Sequence, residues 1–116
     1  MKTRTIQYLR DALDEAYELQ LDLTGLSIST FKRSHQLQRS TERSLEIVGE
    51  SIRRALDEDE GLRSSHAELR EWIALRNIIS HQYDKILPEA IWGSATEDVK
   101  DLITDLETLL ASHADD

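Results

Sequence analysis

The chain has 116 residues with no cysteine, one proline and four glycines, and fourteen Lys and Arg stand against twenty-three Asp and Glu, a net charge of −9. That length suits a single domain over residues 1–116, and the missing cysteines exclude a disulfide scaffold and a thiolate metal site. No apolar run approaches the ~20 residues that span a bilayer, and broad polyanion binding is disfavoured by the excess of acid.

Along the chain, the spacing predicts helices throughout. Residues 3–24 place Ile6, Leu9, Leu13, Tyr17, Leu21 and Thr24 at steps of three and four, one helical face. Gly25 stands where a helix stop belongs. A second helix is predicted from Ser27 or Ser29, both good N-caps. Its apolar line takes in Phe31, Ser34, Leu37, Thr41, Leu45, Val48, Ile52 and Leu56, up to ~28 residues or roughly 42 Å. A break is expected in its polar middle, Gln36 to Ser44. Gly49 lies inside this pattern at a propensity cost of ~1 kcal/mol relative to Ala. Close approach of another backbone is the usual compensation.

Asp57 to Ser64 reads as a turn. Ser65-His66-Ala67-Glu68 has the spacing of a capping box, with Ser65 as N-cap. Leu69, Trp72, Ile73, Leu75 and Ile79 form the apolar side of a third helix, predicted to fade near Tyr83 to Lys85. Pro88 suits the first position of a last helix, whose stripe is Ile91, Ala95, Val99, Leu102, Leu106 and Leu109, widened by Trp92, Ile103 and Leu110. Gly93-Ser94 is expected to interrupt its first turns. No alternating strand pattern appears. The fold class is therefore all-α, an up-and-down antiparallel bundle of four to five helices. The opening residues enter an amphipathic pattern, not an apolar signal core, so a soluble cytoplasmic protein is expected.

The charge is uneven. Residues 1–56 hold nine Lys/Arg and eight Asp/Glu, whereas residues 57–116 hold five and fifteen. Lys32, Arg33, Arg39 and Arg43 are the densest basic stretch, and Lys32, Arg39 and Arg43 share one face if the helix is continuous. This face suits an RNA backbone; equally, it suits an ordinary solvated surface paired with Glu42, Glu46 and Glu50. Glu50 can also be placed near a cleft with His81, which it would tune.

There is no phosphate-binding glycine loop and no His-Glu-x-x-His, so neither a metal nor a cofactor is expected. Of the four histidines, His35, His66 and His113 read as solvated side chains. His81 keeps different company. In Leu75-Arg76-Asn77-Ile78-Ile79-Ser80-His81-Gln82-Tyr83, Asn77 and His81 are i,i+4 neighbours, while Arg76 and His81 stand about 140° apart. They can flank one cleft but not stack. The residues alone leave two readings open: a polar functional cluster, or a solvated helix end with Tyr83 packed on the bundle.

Arg76-(four residues)-His81-x-Tyr83 resembles the Arg-x4-His-x-Tyr signature of HepT-like HEPN proteins. Leu75-Arg76-Asn77 fits the same habit. Leu45-Glu46-Ile47-Val48-Gly49-Glu50-Ser51 resembles the family's second-helix segment, with Ser51 where Ala is usual. Phe31 and Ile91-Trp92 fit as well, so the likeness covers nearly the whole chain. It departs at Ser65–Glu71, where relatives commonly carry a Pro-Trp pair.

The resemblance implies an HEPN-like fold, a homodimer and a metal-independent endoribonuclease toxin of a toxin–antitoxin pair. It implies Arg76 and His81 as catalytic residues. It also implies an antitoxin partner, a small nucleotidyltransferase (MntA-like) that attaches AMP to Tyr83. The chemistry is coherent with these residue types. RNA carries its own 2′-hydroxyl nucleophile; histidine titrates near neutrality; arginine offers a planar fork to phosphate oxygens. Asn77 and Ser80 are candidate supports. An AMP group two residues from His81 would block the cleft and compete for Arg76. The −9 charge motivates a different alternative, a non-catalytic subunit that presents substrate to a nucleotidyltransferase. A plain dimerisation bundle leaves the Arg76–Tyr83 cluster unexplained.

Overall fold

The computed structural model describes residues 1–82 and 85–113. Among these there is no strand, and seven α-helices follow one another: α1 (Thr3–Leu23), α2 (Ile28–Lys32), α3 (His35–Glu58), α4 (Glu60–Ser65), α5 (Arg70–Gln82), α6 (Pro88–Gly93) and α7 (Val99–Ser112). A 3-10 turn, Ala67–Leu69, leads into α5, and a π turn, Ser94–Asp98, joins α6 to α7. No helix among the described residues is long and apolar enough to cross a membrane.

The long helix α3 is the spine. It packs against α1 on one side and α5 on the other, and α7 closes against α1. The predicted line on this helix is buried at Thr41, Leu45, Val48, Ile52 and Leu56. The α6–α7 stripe is buried likewise, from Ile91 through Ala95, Val99, Leu102 and Leu106 to Leu109. The expected interruption near Gly93-Ser94 is the π turn. Ile91, Ala95 and Val99 recur every four residues and would lag behind a 3.6-residue helix. One wider i→i+5 turn returns them to the core. Gly25 ends α1 with φ +80°, a value that favours glycine.

Four expectations are corrected. The buried face of α1 is Thr5, Leu9, Ala12, Leu13, Ala16, Leu19 and Leu23. Leu21 is 69% exposed and Tyr17 37% exposed. The small side chains of Ala12 and Ala16 admit close packing on that face. Tyr17 instead lies outside, donating its hydroxyl to Glu107 on α7.

Second, the break before α3 falls at Arg33–Ser34, not within Gln36 to Ser44. Ser34 is no core residue but the N-cap, accepting from the Leu37 amide at 3.1 Å. The Gln38 amide donates to the carbonyls of Phe31 and Lys32 at 2.9 and 3.2 Å, which closes the break from the other side. Third, the predicted turn at Asp57 to Ser64 is mostly helix: Asp59 N-caps α4 by accepting from the Leu62 amide at 3.0 Å. Fourth, Ser65 is consequently the last residue of α4, not an N-cap. Its hydroxyl lies 2.8 Å from His66 Nδ1.

Helix α5 is an edge element. Only Trp72 and Ile79 of its residues are buried. Its place is fixed by Gly49, where the anticipated close approach occurs. A Cβ at position 49 would stand 2.6 Å from the Trp72 carbonyl oxygen and closer still to the Arg76 Cβ. Gly49→Ala gains ~1 kcal/mol of helix propensity, but the backbone carbonyl cannot yield as a flexible side-chain end would. We expect a net loss of roughly 1–3 kcal/mol from overpacking, measured as a lowered urea midpoint. A stabilised variant would refute this account of the α3–α5 contact.

Candidate active site

Gly49 sets Arg76 and Trp72 directly against α3, and two carboxylates on either side of it take the polar groups of α5. Ser80 Oγ donates to Glu46 Oε2 at 2.8 Å. Arg76 Nη2 lies 3.8 Å from Glu50 Oε1, and Arg76 Nη1 donates to Asn77 Oδ1 at 3.1 Å. Arg76 and Ser80, one turn apart, thus face α3.

His81 does not share that direction. Ala74, Asn77, Ile78 and His81 are exposed along the opposite side of α5, at helical steps of three, four and seven. Ile78 is 45% exposed there. Within one chain, then, Arg76 and His81 lie on different sides of the same helix end. Asn77 touches both groups of residues, through its bond to Arg76 and its place on the His81 side. Tyr83 lies outside the described residues.

Glu50 is the electrostatic centre of this region. Arg53 holds it through two hydrogen bonds of 3.0 and 2.7 Å, and Arg54 Nε adds a third at 3.1 Å. The Arg53 guanidinium, with Arg54 and Arg76 adding and burial opposing, lowers the Glu50 carboxyl from 4.5 to about 2. From the sequence Glu50 could be placed no more closely than near the cleft as a group that tunes His81, and nothing in its spacing marks it as the partner of Arg76. Glu46 was read only as a surface acid.

Beside Arg76, a cavity of ≈ 240 Å³ opens between α1, α3 and α5, with Tyr8, Arg43, Arg54 and Arg76 on its walls. Of the predicted basic stretch, Lys32 and Arg33 sit on or beside α2, and Arg39 and Arg43 on α3. The break at Arg33–Ser34 therefore divides the single face expected for Lys32, Arg39 and Arg43. Lys32 pairs with Glu89 at 2.6 Å, and Arg33 donates to Ser29 Oγ at 2.9 Å. Arg39 and Arg43 are exposed. Among the described residues, no group of three or more His, Asp or Glu is placed to hold a metal ion.

Residues 12–109 match the family described as ribonuclease HepT-like. The chain belongs to the HepT-like ribonuclease family. It is also similar to a protein named "Putative RNase" from Caldanaerobacter subterraneus subsp. tengcongensis, 27% identical over 105 residues that cover 89% of this chain and 91% of that protein. No solved structure matches the chain. Membership gives this HepT-like chain its enzyme class, ribonuclease.

The Glu50 network carries a pH signature. Because the folded-state pKa is depressed, its stabilisation is fully present above about 4.5 and is lost as pH falls through about 2. Glu50→Gln is therefore expected to be less stable than wild type at pH 7, by about 1 kcal/mol after solvent screening. The two proteins should converge toward pH 2. Urea titrations across that range test this; a gap independent of pH would show that the charge is not the cause.

Proposed function

We propose that the chain is a metal-independent endoribonuclease whose active cleft is completed by a second copy of itself. The supporting observation is the divergence of Arg76 and His81 on an edge helix. One chain offers each residue on a different side, and the exposed Ile78 beside His81 gives that side an apolar surface suited to a two-fold contact. Two copies of α5 meeting there bring two His81 and two Arg76 around one groove.

The reaction then needs no further group. His81 takes the proton from the 2′-hydroxyl, whose oxygen attacks the adjacent phosphorus. The bond from phosphorus to the 5′-oxygen breaks, and the partner's His81 protonates that oxygen. The products are a 2′,3′-cyclic phosphate and a 5′-hydroxyl. Arg76 supplies fixed positive charge to the phosphate oxygens as negative charge concentrates on them. Ser80, tied to Glu46, and Asn77, tied to Arg76, hold the helix end in register. Arg39 and Arg43 extend a basic path for the RNA backbone, with Lys32 and Arg33 across the α2–α3 break.

In this reading the protein is the toxin of a toxin–antitoxin pair. Its partner is a small nucleotidyltransferase that adenylylates Tyr83, placing an anionic group near His81 and Arg76. The alternative of a non-catalytic subunit has no comparable support, since the family is one of ribonucleases.

His81→Ala is expected to lower the cleavage rate by at least ~10²-fold, the usual contribution of a general acid or base. Arg76→Ala is expected to lower it by ~10²–10³-fold. Both should remain dimers by light scattering. Retained cleavage by His81→Ala would remove the proposal, and loss of wild-type cleavage in EDTA would remove its metal-free part. After coexpression with the nucleotidyltransferase, intact mass should rise by whole AMP units that Tyr83→Phe abolishes.

A further inference from the structure

A second cavity, of ≈ 340 Å³, lies between the start of α3 and Ile86, Pro88 and Ile91 at the start of α6. Its volume falls in the range of small-molecule sites. Its wall combines apolar and polar groups in an order that suits a planar ligand. Phe31 and Ile91, both buried, line it with apolar surface. Ile86 and Pro88 extend that apolar wall, and four polar side chains from the start of α3 face it: His35, Gln38, Arg39 and Glu42.

The polar groups are not equivalent. Gln38 spends its amide nitrogen on the carbonyls of Phe31 and Lys32, so it can offer the cavity only its carbonyl oxygen, an acceptor. Glu42 is half-buried, and no donor among the described residues reaches its carboxylate within hydrogen-bond distance. Burial, with the Glu46 charge, pushes the Glu42 carboxyl up against the opposing pull of Arg39. Arg39 presents a fork of donors one turn away. A rim with a donor fork and an undersupplied carboxylate matches a base that carries two acceptors on one edge and two N–H donors on the next.

We infer that this cavity is a nucleobase subsite that takes a guanine of the RNA substrate. Guanine alone of the four bases meets both requirements. Its N7 and O6 accept from an arginine fork, and its N1–H and 2-amino group donate in parallel to a carboxylate, a charge-assisted pair. His35, also on the lining, is the aromatic ring available to stack on an unpaired RNA base. Ser80 ties the end of α5 to Glu46, and Glu42 lies one turn, about 6 Å, earlier on α3, so the cavity lies along α3 on the side of α5 that Arg76 and Ser80 face. The inference rests on the ribonuclease reading for its substrate, but its test does not require cleavage.

Guanosine, adenosine, cytidine and uridine 5′-monophosphates titrated into the full chain give the measurement. Trp92 is the reporter, its ring centroid 5.2 Å from that of Phe31, read by fluorescence in Trp72→Phe protein. Backbone amide NMR of the wild type reads the same titration without substitution. The guanine nucleotide is expected to bind roughly tenfold or more tightly than the uridine nucleotide, the worth of a good bidentate pair. Glu42→Gln should remove that preference, and Arg39→Ala, at an exposed position, should weaken it with no change in the NMR fold signature. Equal binding of all four, tighter binding of the adenine nucleotide, no binding up to about 10 mM, or an unchanged preference in Glu42→Gln would each overturn the inference. Selective guanine binding by a protein that cleaves no RNA would uphold the subsite and remove the catalytic proposal instead.

Discussion

The absence of one side chain at position 49 determines how the candidate site is built. With no Cβ there, α5 can bring the Trp72 carbonyl and the Arg76 Cβ against the backbone of α3. This matters because α5 has little else to fix it, with only Trp72 and Ile79 buried. Once the two helices touch at Gly49, Glu46 three residues before it and Glu50 next to it come within reach of the polar groups of α5. Ser80 meets Glu46 and Arg76 meets Glu50. The polar contacts follow from the packing and could not form at a larger interhelical distance.

The same economy of burial exposes the other side of α5. A helix held by one neighbour has to present its remaining surface outward, and here that surface carries Asn77, Ile78 and His81. A general acid–base residue needs access to solvent and substrate, whereas an arginine that is to stabilise a phosphate gains from being held against carboxylates in advance. The edge position supplies both conditions on one short helix.

Much of this was legible in the residues, in proportion to how local the cause is. Helix α5 and the α6–α7 stripe follow from apolar spacing, and Pro88 and Gly25 mark helix ends because backbone geometry acts at the residue itself. The buried face of α1 was misjudged because Tyr17 and Leu21 weigh more in an apolar pattern than Ala12 and Ala16. Yet small residues are what permit α3 to come close. Ser34 misled for a different reason: a capping serine at a helical interval is invisible to periodicity. At Ser65 two caps competed, and Asp59, six residues earlier, started the helix first. Gly49 announced a close approach, but only the fold reveals that Arg76 fills it. Glu46 and Ser80 are 34 residues apart, and no local spacing connects them.

The net charge of −9 acquires a spatial meaning from these pairings. Lys32 is offset by Glu89, and Arg63 shares Asp57 with Arg53. These paired cations present little free field to a polyanion. Glu50 is different, because Arg53, Arg54 and Arg76 all converge on this one carboxylate. Arg76 is the most distant of the three. A phosphate that draws Arg76 away therefore leaves Glu50 still hydrogen-bonded by Arg53 and Arg54, so the carboxylate keeps its partners through the exchange. Shared guanidinium charge makes Arg76 both held and releasable.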